Sequence, residues 1–215
     1  MPLPIVFKVD PYTSLTNENA VSLHNHILGQ CLRVKNHAII YIPKNASSLL
    51  RTCISNNKAV PACWYDFNVR EFWVILRDPF ERWISGTVEH LKEFSINDYN
   101  EASTRAKLIY IDEHTAPQIW FLKGCFTSGK KINYVYLNKD GLNLVDSKLK
   151  IFSSKYSNSI PPKVHHTYTD DSKKFYVDMV HKILTDNPSL PESIKKFYSE
   201  DYKLINEHLP GYSTN

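Results

Sequence analysis

Two short stretches of this chain combine residue types that can hold an anion. The first is Ile42-Pro43-Lys44-Asn45-Ala46-Ser47-Ser48-Leu49-Leu50-Arg51. Where a buried strand turns tightly into a helix, the first backbone N–H groups lack partners and the positive end of the helix dipole faces outward. Ala46, Ser47 and Ser48 are small enough for a phosphate to approach, the two hydroxyls can add hydrogen bonds, and Lys44 supplies a mobile positive charge at the rim. The second stretch is Leu76-Arg77-Asp78-Pro79-Phe80-Glu81-Arg82-Trp83-Ile84-Ser85. Arg77 stands at the carboxyl end of a strand, where ligands of open α/β sheets gather, and its planar fork matches a phosphate. Ser85 lies two helical turns beyond Asp78 and shares its face. Each stretch also has a plainer reading: a capped helix start with a solvated lysine in the first, an Arg77 paired with Asp78 or Glu81 in the second.

The elements that position these residues follow from hydrophobic periodicity. Ala38-Ile39-Ile40-Tyr41-Ile42 and Phe72-Trp73-Val74-Ile75-Leu76 are continuous apolar runs, as expected of strands buried on both faces. Leu49, Leu50, Cys53 and Ile54 then fit a helix of two to three turns. After the second run, Asp78 can cap, Pro79 suits the first helical position, and Glu81 can reach back as in a capping box. Phe80, Trp83, Ile84, Val88 and Leu91 form the apolar stripe of that helix. Asn133-Tyr134-Val135-Tyr136-Leu137 reads as another strand and Ile151-Phe152 as a further short one. Phe175, Tyr176, Met179, Val180, Ile183 and Leu184 make one C-terminal helical stripe; Ile194, Phe197, Tyr198, Tyr202 and Ile205 make a second. A leading helix is expected from Ser14 to Gln30. This alternation predicts an α/β fold with a P-loop-like parallel sheet flanked by helices and a helical C-terminal part. The 215 residues are read as one domain: residues 1–36 a leading helical segment, 37–152 an α/β nucleotide-binding core, and 153–215 a loop and C-terminal helices.

Composition excludes several classes. Hydrophobic residues at 42% and charged residues at 22% argue against disorder and coiled-coil rods. Only 6 glycines are present, and neither GxxxxGK[ST] nor GxGxxG occurs, so Walker-type kinases and dinucleotide-binding Rossmann enzymes are poor candidates. Net charge of +4 suits an anionic ligand without demanding nucleic acid. Cys31, Cys53, Cys63 and Cys125 form no CxxC pair, and no metal-ligand set stands out. Reduced thiols are the simplest expectation, with a Cys53–Cys63 bridge as the alternative in an oxidising lumen. No stretch approaches the length of a membrane span and no leader pattern opens the chain. A soluble, cytoplasmic protein is therefore expected, with the Golgi lumen open if the chain is a piece of a longer one.

Taken together, the two stretches resemble those of the sulfotransferases that use 3′-phosphoadenosine-5′-phosphosulfate (PAPS), in particular the carbohydrate sulfotransferase branch. Pro43-Lys44-Asn45-Ala46-Ser47-Ser48-Leu49 is similar to that family's 5′-phosphosulfate loop, and Arg77-Asp78-Pro79-Phe80-Glu81-Arg82-Trp83-Ile84-Ser85 to its 3′-phosphate element. Glu113-His114-Thr115-Ala116-Pro117-Gln118 resembles its H-x-x-P-Q element, and Phe197-Tyr198-Ser199-Glu200-Asp201-Tyr202 its terminal helix. Ala116 departs from the large basic residue usual there, and the branch's membrane anchor is missing from this sequence. The resemblance implies transfer of a sulfuryl group from PAPS to a hydroxyl, most naturally on a saccharide, leaving 3′-phosphoadenosine 5′-phosphate (PAP), with no metal. It implies Lys44 on the bridging oxygen, the amides of Asn45 to Leu49 on the 5′-phosphate, and Arg77 with Ser85 on the 3′-phosphate. The acceptor's proton needs a base. His114 comes first, with an ordinary pKa near ~6.5, and Glu89, His90 and Glu113 remain open. His165-His166 is read as a turn or a loop closing over the nucleotide, and the lysines from Lys123 to Lys155 as a solvated face or a glycan-attracting one. A non-catalytic nucleotide- or polyanion-binding module is the alternative function.

Overall fold

The computed structural model describes residues 30–63, 65–152 and 171–212. The expected leading helix, apart from Gln30, and the His165-His166 turn lie outside the described residues. Among the described residues five strands form one sheet: β1 (Gln30–Val34), β2 (His37–Ile40), β3 (Val60–Cys63), β4 (Glu71–Leu76) and β5 (Lys131–Tyr136), in the order β3-β1-β2-β4-β5. The runs at 38–42, 72–76 and 133–137 thus mark β2, β4 and β5, and these three are parallel, with Ile39 opposite Trp73 and Leu76 opposite Tyr136.

The sheet is mixed rather than wholly parallel, which corrects the expectation. β1 pairs antiparallel with both β2 and β3. Only Lys35 and Asn36 separate β1 from β2, too few for a crossover, so the two strands must form a hairpin. Lys35 takes the left-handed conformation, φ 56°, that such two-residue turns need. Residues 30–34, assigned above to a leading helical segment, are therefore a strand. β3 carries Pro61, which has no N–H to donate and is tolerated because β3 is an edge. Ile151 and Phe152 are buried but form no strand.

Helices cover both faces. α1 (Ser47–Ser55) follows β2, α2 (Pro79–Glu93) follows β4, and α3 (Tyr99–Lys107) and α4 (Lys123–Thr127) precede β5. After β5 come α5 (Lys139–Leu149), α6 (Asp171–Asp186), α7 (Leu190–Phe197) and α8 (Ser199–His208). The single stripe expected after Pro191 is divided between α7 and α8 at Tyr198. The pleat sends Ile39, Trp73, Ile75 and Val135 to one face, against Leu50 and Cys53 of α1 and Leu142, Val145 and Leu149 of α5. Ala38, Ile40, Phe72, Val74 and Leu76 face the other way, onto Phe121, Leu122, Leu204 and Ile205.

Helix α2 behaves differently. Its Asp78 cap is as expected, accepting from the Glu81 amide at 2.8 Å with Pro79 in the first turn. Its stripe, however, packs with α3, α6 and α7 in a separate helical core of Trp83, Leu91, Ala102, Val180, Ile183 and Ile194. The start of α2 is thus fixed at the carboxyl end of β4 while its middle faces helices from the C-terminal part. Among the described residues no helix is long and apolar enough to cross a membrane.

Candidate functional site

The β2–α1 connection turns tightly without glycine. Lys44 and Ala46 both adopt left-handed backbone, φ 67° and 60°, a conformation costing roughly 1–3 kcal/mol at each non-glycine residue. The surroundings impose it. Between them, Asn45 is buried and donates from Nδ2 to the Ile75 carbonyl (2.7 Å) and to Gln118 Oε1 (2.5 Å). Its amide closes a turn onto the Ile42 carbonyl at 3.1 Å. Arg82, fully buried on α2, donates from Nε to the Pro43 carbonyl at 3.1 Å. The first bond of α1 runs from the Leu50 amide to the Ala46 carbonyl, 3.0 Å. The amides of Ser47 and Ser48 precede it and form the positive end of α1. Ser48 is exposed and Ser47 half-buried.

Arg77 meets this loop directly. Gln118 brackets its peptide, accepting from the Arg77 amide at 3.0 Å and donating to its carbonyl at 2.8 Å. From the end of β4 the guanidinium reaches back so that Nη1 lies 3.4 Å from the Lys44 carbonyl. Nη2 is 3.8 Å from Glu81 Oε2, a loose version of the Arg77–Glu81 pairing considered above. Ser85 is half-buried on α2, one turn before Glu89. The two stretches therefore converge at the carboxyl ends of neighbouring parallel strands.

The Lys44 ammonium is 3.1 Å from Glu89 Oε2 on α2, and the same oxygen is 3.1 Å from Lys173 Nζ on α6. The two lysine side chains are only 14% and 8% exposed. Burial alone would raise the Glu89 carboxyl, yet the two ammoniums more than offset it and hold it at about 2. Burial lowers Lys44, with Glu89 opposing that shift. Lys173 escaped the sequence reading. A signal was available, because it falls three and four residues before Tyr176 and Val177, on the buried stripe of α6.

The other candidates lie on the loop between α3 and the turn Gln118–Leu122. Arg82 secures this loop as well as the first, with Nη1 on the Ala116 carbonyl and Nη2 on the Glu113 carbonyl at 3.3 Å. Tyr198 donates to the Thr115 carbonyl. The Gln118 and Ile119 amides donate to the buried Asp201 carboxylate at 2.7 and 2.8 Å. Gly86 lets α2 approach, since a Cβ there would stand 2.4 Å from the His114 carbonyl oxygen. His114 Nδ1 is 3.4 Å from Asp112 Oδ1. Burial would lower the pKa of His114, but Asp112 outweighs it and raises the group above the ordinary histidine range. Burial also raises Glu113.

His90 stands apart from these. Its Nδ1 is 2.8 Å from Asp112 Oδ2 and its Nε2 is 3.1 Å from Arg105 Nη1, so neither nitrogen is left for an acceptor. Of the lysines between Lys123 and Lys155, Lys131, Lys139, Lys148 and Lys150 are exposed, while Lys130 Nζ bonds the Asp66 carbonyl at 2.7 Å. The Cys53 thiol bonds the Leu49 carbonyl at 3.5 Å. Among the described residues no group of three or more His, Cys, Asp or Glu side chains is placed to hold a metal ion. No protein-family model, curated protein or solved structure matches this chain.

Proposed function

We propose that the protein is a PAPS-dependent sulfotransferase acting on a hydroxyl of a saccharide, and that its α/β sheet is a variant of the sulfotransferase fold. One observation carries the reading: two basic residues from separate strand-to-helix junctions, Lys44 and Arg77, meet with the Arg77 guanidinium 3.4 Å from the Lys44 carbonyl. A single nucleotide bearing phosphates at both ends of its ribose has the charge distribution for such a pair. In this reading the Ser47 and Ser48 amides and hydroxyls hold the 5′-phosphate, and Arg77 with Ser85 holds the 3′-phosphate. Lys44 neutralises charge growing on the leaving phosphate, and Lys173 brings a second ammonium to the same region. The acceptor oxygen forms its bond to sulfur as the sulfur–oxygen bond to the phosphate breaks, and the acceptor's proton passes to a base. A carboxyl held at about 2 is a weak base, so Glu89 is better suited to orient the lysines. His114, more basic than an ordinary histidine and lying in the field of Lys44, takes the proton.

Calorimetric titration with PAP tests the nucleotide site. Binding with micromolar to submillimolar affinity is expected, weakened in Arg77→Ala. No heat and no thermal stabilisation at millimolar PAP would refute the reading. Transfer from PAPS to desulfated glycans should fall about a hundredfold or more in Lys44→Ala, the scale of losing one preorganised charge-stabilising group. PAP binding without any turnover would instead establish a non-catalytic nucleotide-binding module.

A further inference from the structure

His114 is joined to the interior of the molecule by a chain of contacts that holding a nucleotide does not require. Its backbone amide donates to Asp112 Oδ1 at 2.8 Å, and its Nδ1 lies 3.4 Å from that same oxygen. The other carboxylate oxygen, Oδ2, is 2.8 Å from Nδ1 of His90 on α2. His90 is enclosed, its side chain 5% exposed, and its ring lies against Phe94 with centroids 4.7 Å apart. On its far side, Nε2 is 3.1 Å from Arg105 Nη1 on α3.

A guanidinium has donors only. His90 Nε2 must therefore accept from Arg105, which leaves the ring's proton on Nδ1, where it donates to Asp112. Arg105 is itself held by Glu101, with contacts of 2.7 and 3.1 Å, and lies over the Phe94 ring. Its orientation is set before anything reaches His114. The consequence is electrostatic. An imidazolium at position 90 would share the Asp112 charge between two cations, whereas a neutral His90 leaves that charge directed at His114. Other groups act on this pair. Glu113 and Lys44 face His114, the first supporting its proton and the second opposing it. Arg82 acts on Asp112 from α2, and Tyr110 and Tyr198 lie in its field.

We infer that Arg105 and His90 are positioning residues for His114: they hold Asp112 as a carboxylate within ion-pair distance of His114 Nδ1, so that Nε2 is the nitrogen that exchanges a proton. The proton exchange it serves rests on the proposed transfer reaction; the positioning does not. Burial of Asp112 would raise its carboxyl, but the His114 and His90 contacts hold it below the ordinary range, as a fixed anion requires.

The experiment is a pH titration of the full chain labelled with ¹⁵N at histidine, following both ring nitrogens of His90 and His114 without nucleotide. The neutral ring of wild-type His90 should carry its proton on Nδ1, and His114 should titrate above the ordinary histidine range. In Arg105→Met and His90→Phe the His114 midpoint should move down. In His90→Asn it should stay near wild type, because the amide nitrogen replaces the Nδ1 donor. An Nε2–H form of wild-type His90, or a His114 midpoint unmoved in Arg105→Met, would overturn the inference. Should His90→Phe fail to fold, Arg105→Met decides alone. If sulfuryl transfer is measurable, the acid limb of its pH profile should follow the same midpoints. Absence of transfer with the expected titrations would remove the proposed function and leave the positioning intact.

Discussion

Replacing Glu89 by Gln keeps the shape of the side chain and removes the charge that two ammoniums share. Lys44 Nζ and Lys173 Nζ each stand 3.1 Å from Glu89 Oε2, so they are at most 6.2 Å apart, twice that distance. Two unit charges at that separation repel by about 3 kcal/mol at an effective dielectric near 20. The carboxylate outweighs this repulsion in the wild type, and the amide does not. Because Glu89 is 35% exposed, solvent screens part of the effect, and we expect a net loss of about 2 kcal/mol. In a domain of this size that lowers the thermal midpoint by roughly 4–8 °C. Thermal and urea melts of Glu89→Gln, Lys173→Met and the double variant measure it. The double variant should recover part of the loss, since only one ammonium then remains, and the two substitutions should be non-additive. Under the proposed function, PAP affinity should move the other way in Glu89→Gln and tighten by about tenfold, or 1.4 kcal/mol, as Lys44 loses its competing anion. A Glu89→Gln protein that melts with the wild type would refute the electrostatic reasoning whatever the ligand.

Two further outcomes follow from the geometry. Gly86→Ala sets a Cβ 2.4 Å from the His114 backbone oxygen, so the loop must shift; we expect a loss of about 1–3 kcal/mol and, in a transfer assay, a reduced kcat with nucleotide affinity retained. Stability should also fall in acid. Glu89 is held at about 2 against an ordinary 4.5, and Asp112 below its ordinary 3.8. Both folded-state values lie below the unfolded ones, so their contribution is complete above roughly pH 5 and is lost as the pH falls toward 2. Urea midpoints taken from pH 7 down to pH 2 should decline over that window, with a shallower decline in Glu89→Gln. Equal slopes in the two proteins would count against Glu89 as a source.

Much of the site's placement was legible because it is local. A strand buried on both faces is an unbroken apolar run, and 38–42, 72–76 and 133–137 located β2, β4 and β5 to within two residues. The Asp78 cap and the Pro79 start are settled within four residues, and the spectrum of small, hydroxyl and basic side chains at 44–48 marked the loop. Other features were hidden. Arg33 in β1 and Pro61 in β3 blur the strand pattern, so the antiparallel side of the sheet went unread. Scarcity of glycine argued against glycine-rich loops, and the left-handed backbone at Lys44 and Ala46 was not legible, because Asn45, Arg82 and Gln118 impose it through contacts distant in sequence.

The sequence by itself determined the strand-to-helix junctions and the residue types they offer, because turns, caps and buried strands depend on interactions spanning a few residues. Tertiary structure alone decided which charges meet. Lys173 reaches Glu89 across 84 positions and Arg77 reaches the Lys44 carbonyl across 33. Asp112 joins His114 to His90 only because α2 packs beside that loop at Gly86. Such contacts are set by how the helices pack, and the energy of an ion pair falls with distance and with access to water, neither of which is written in the spacing of residues along a chain.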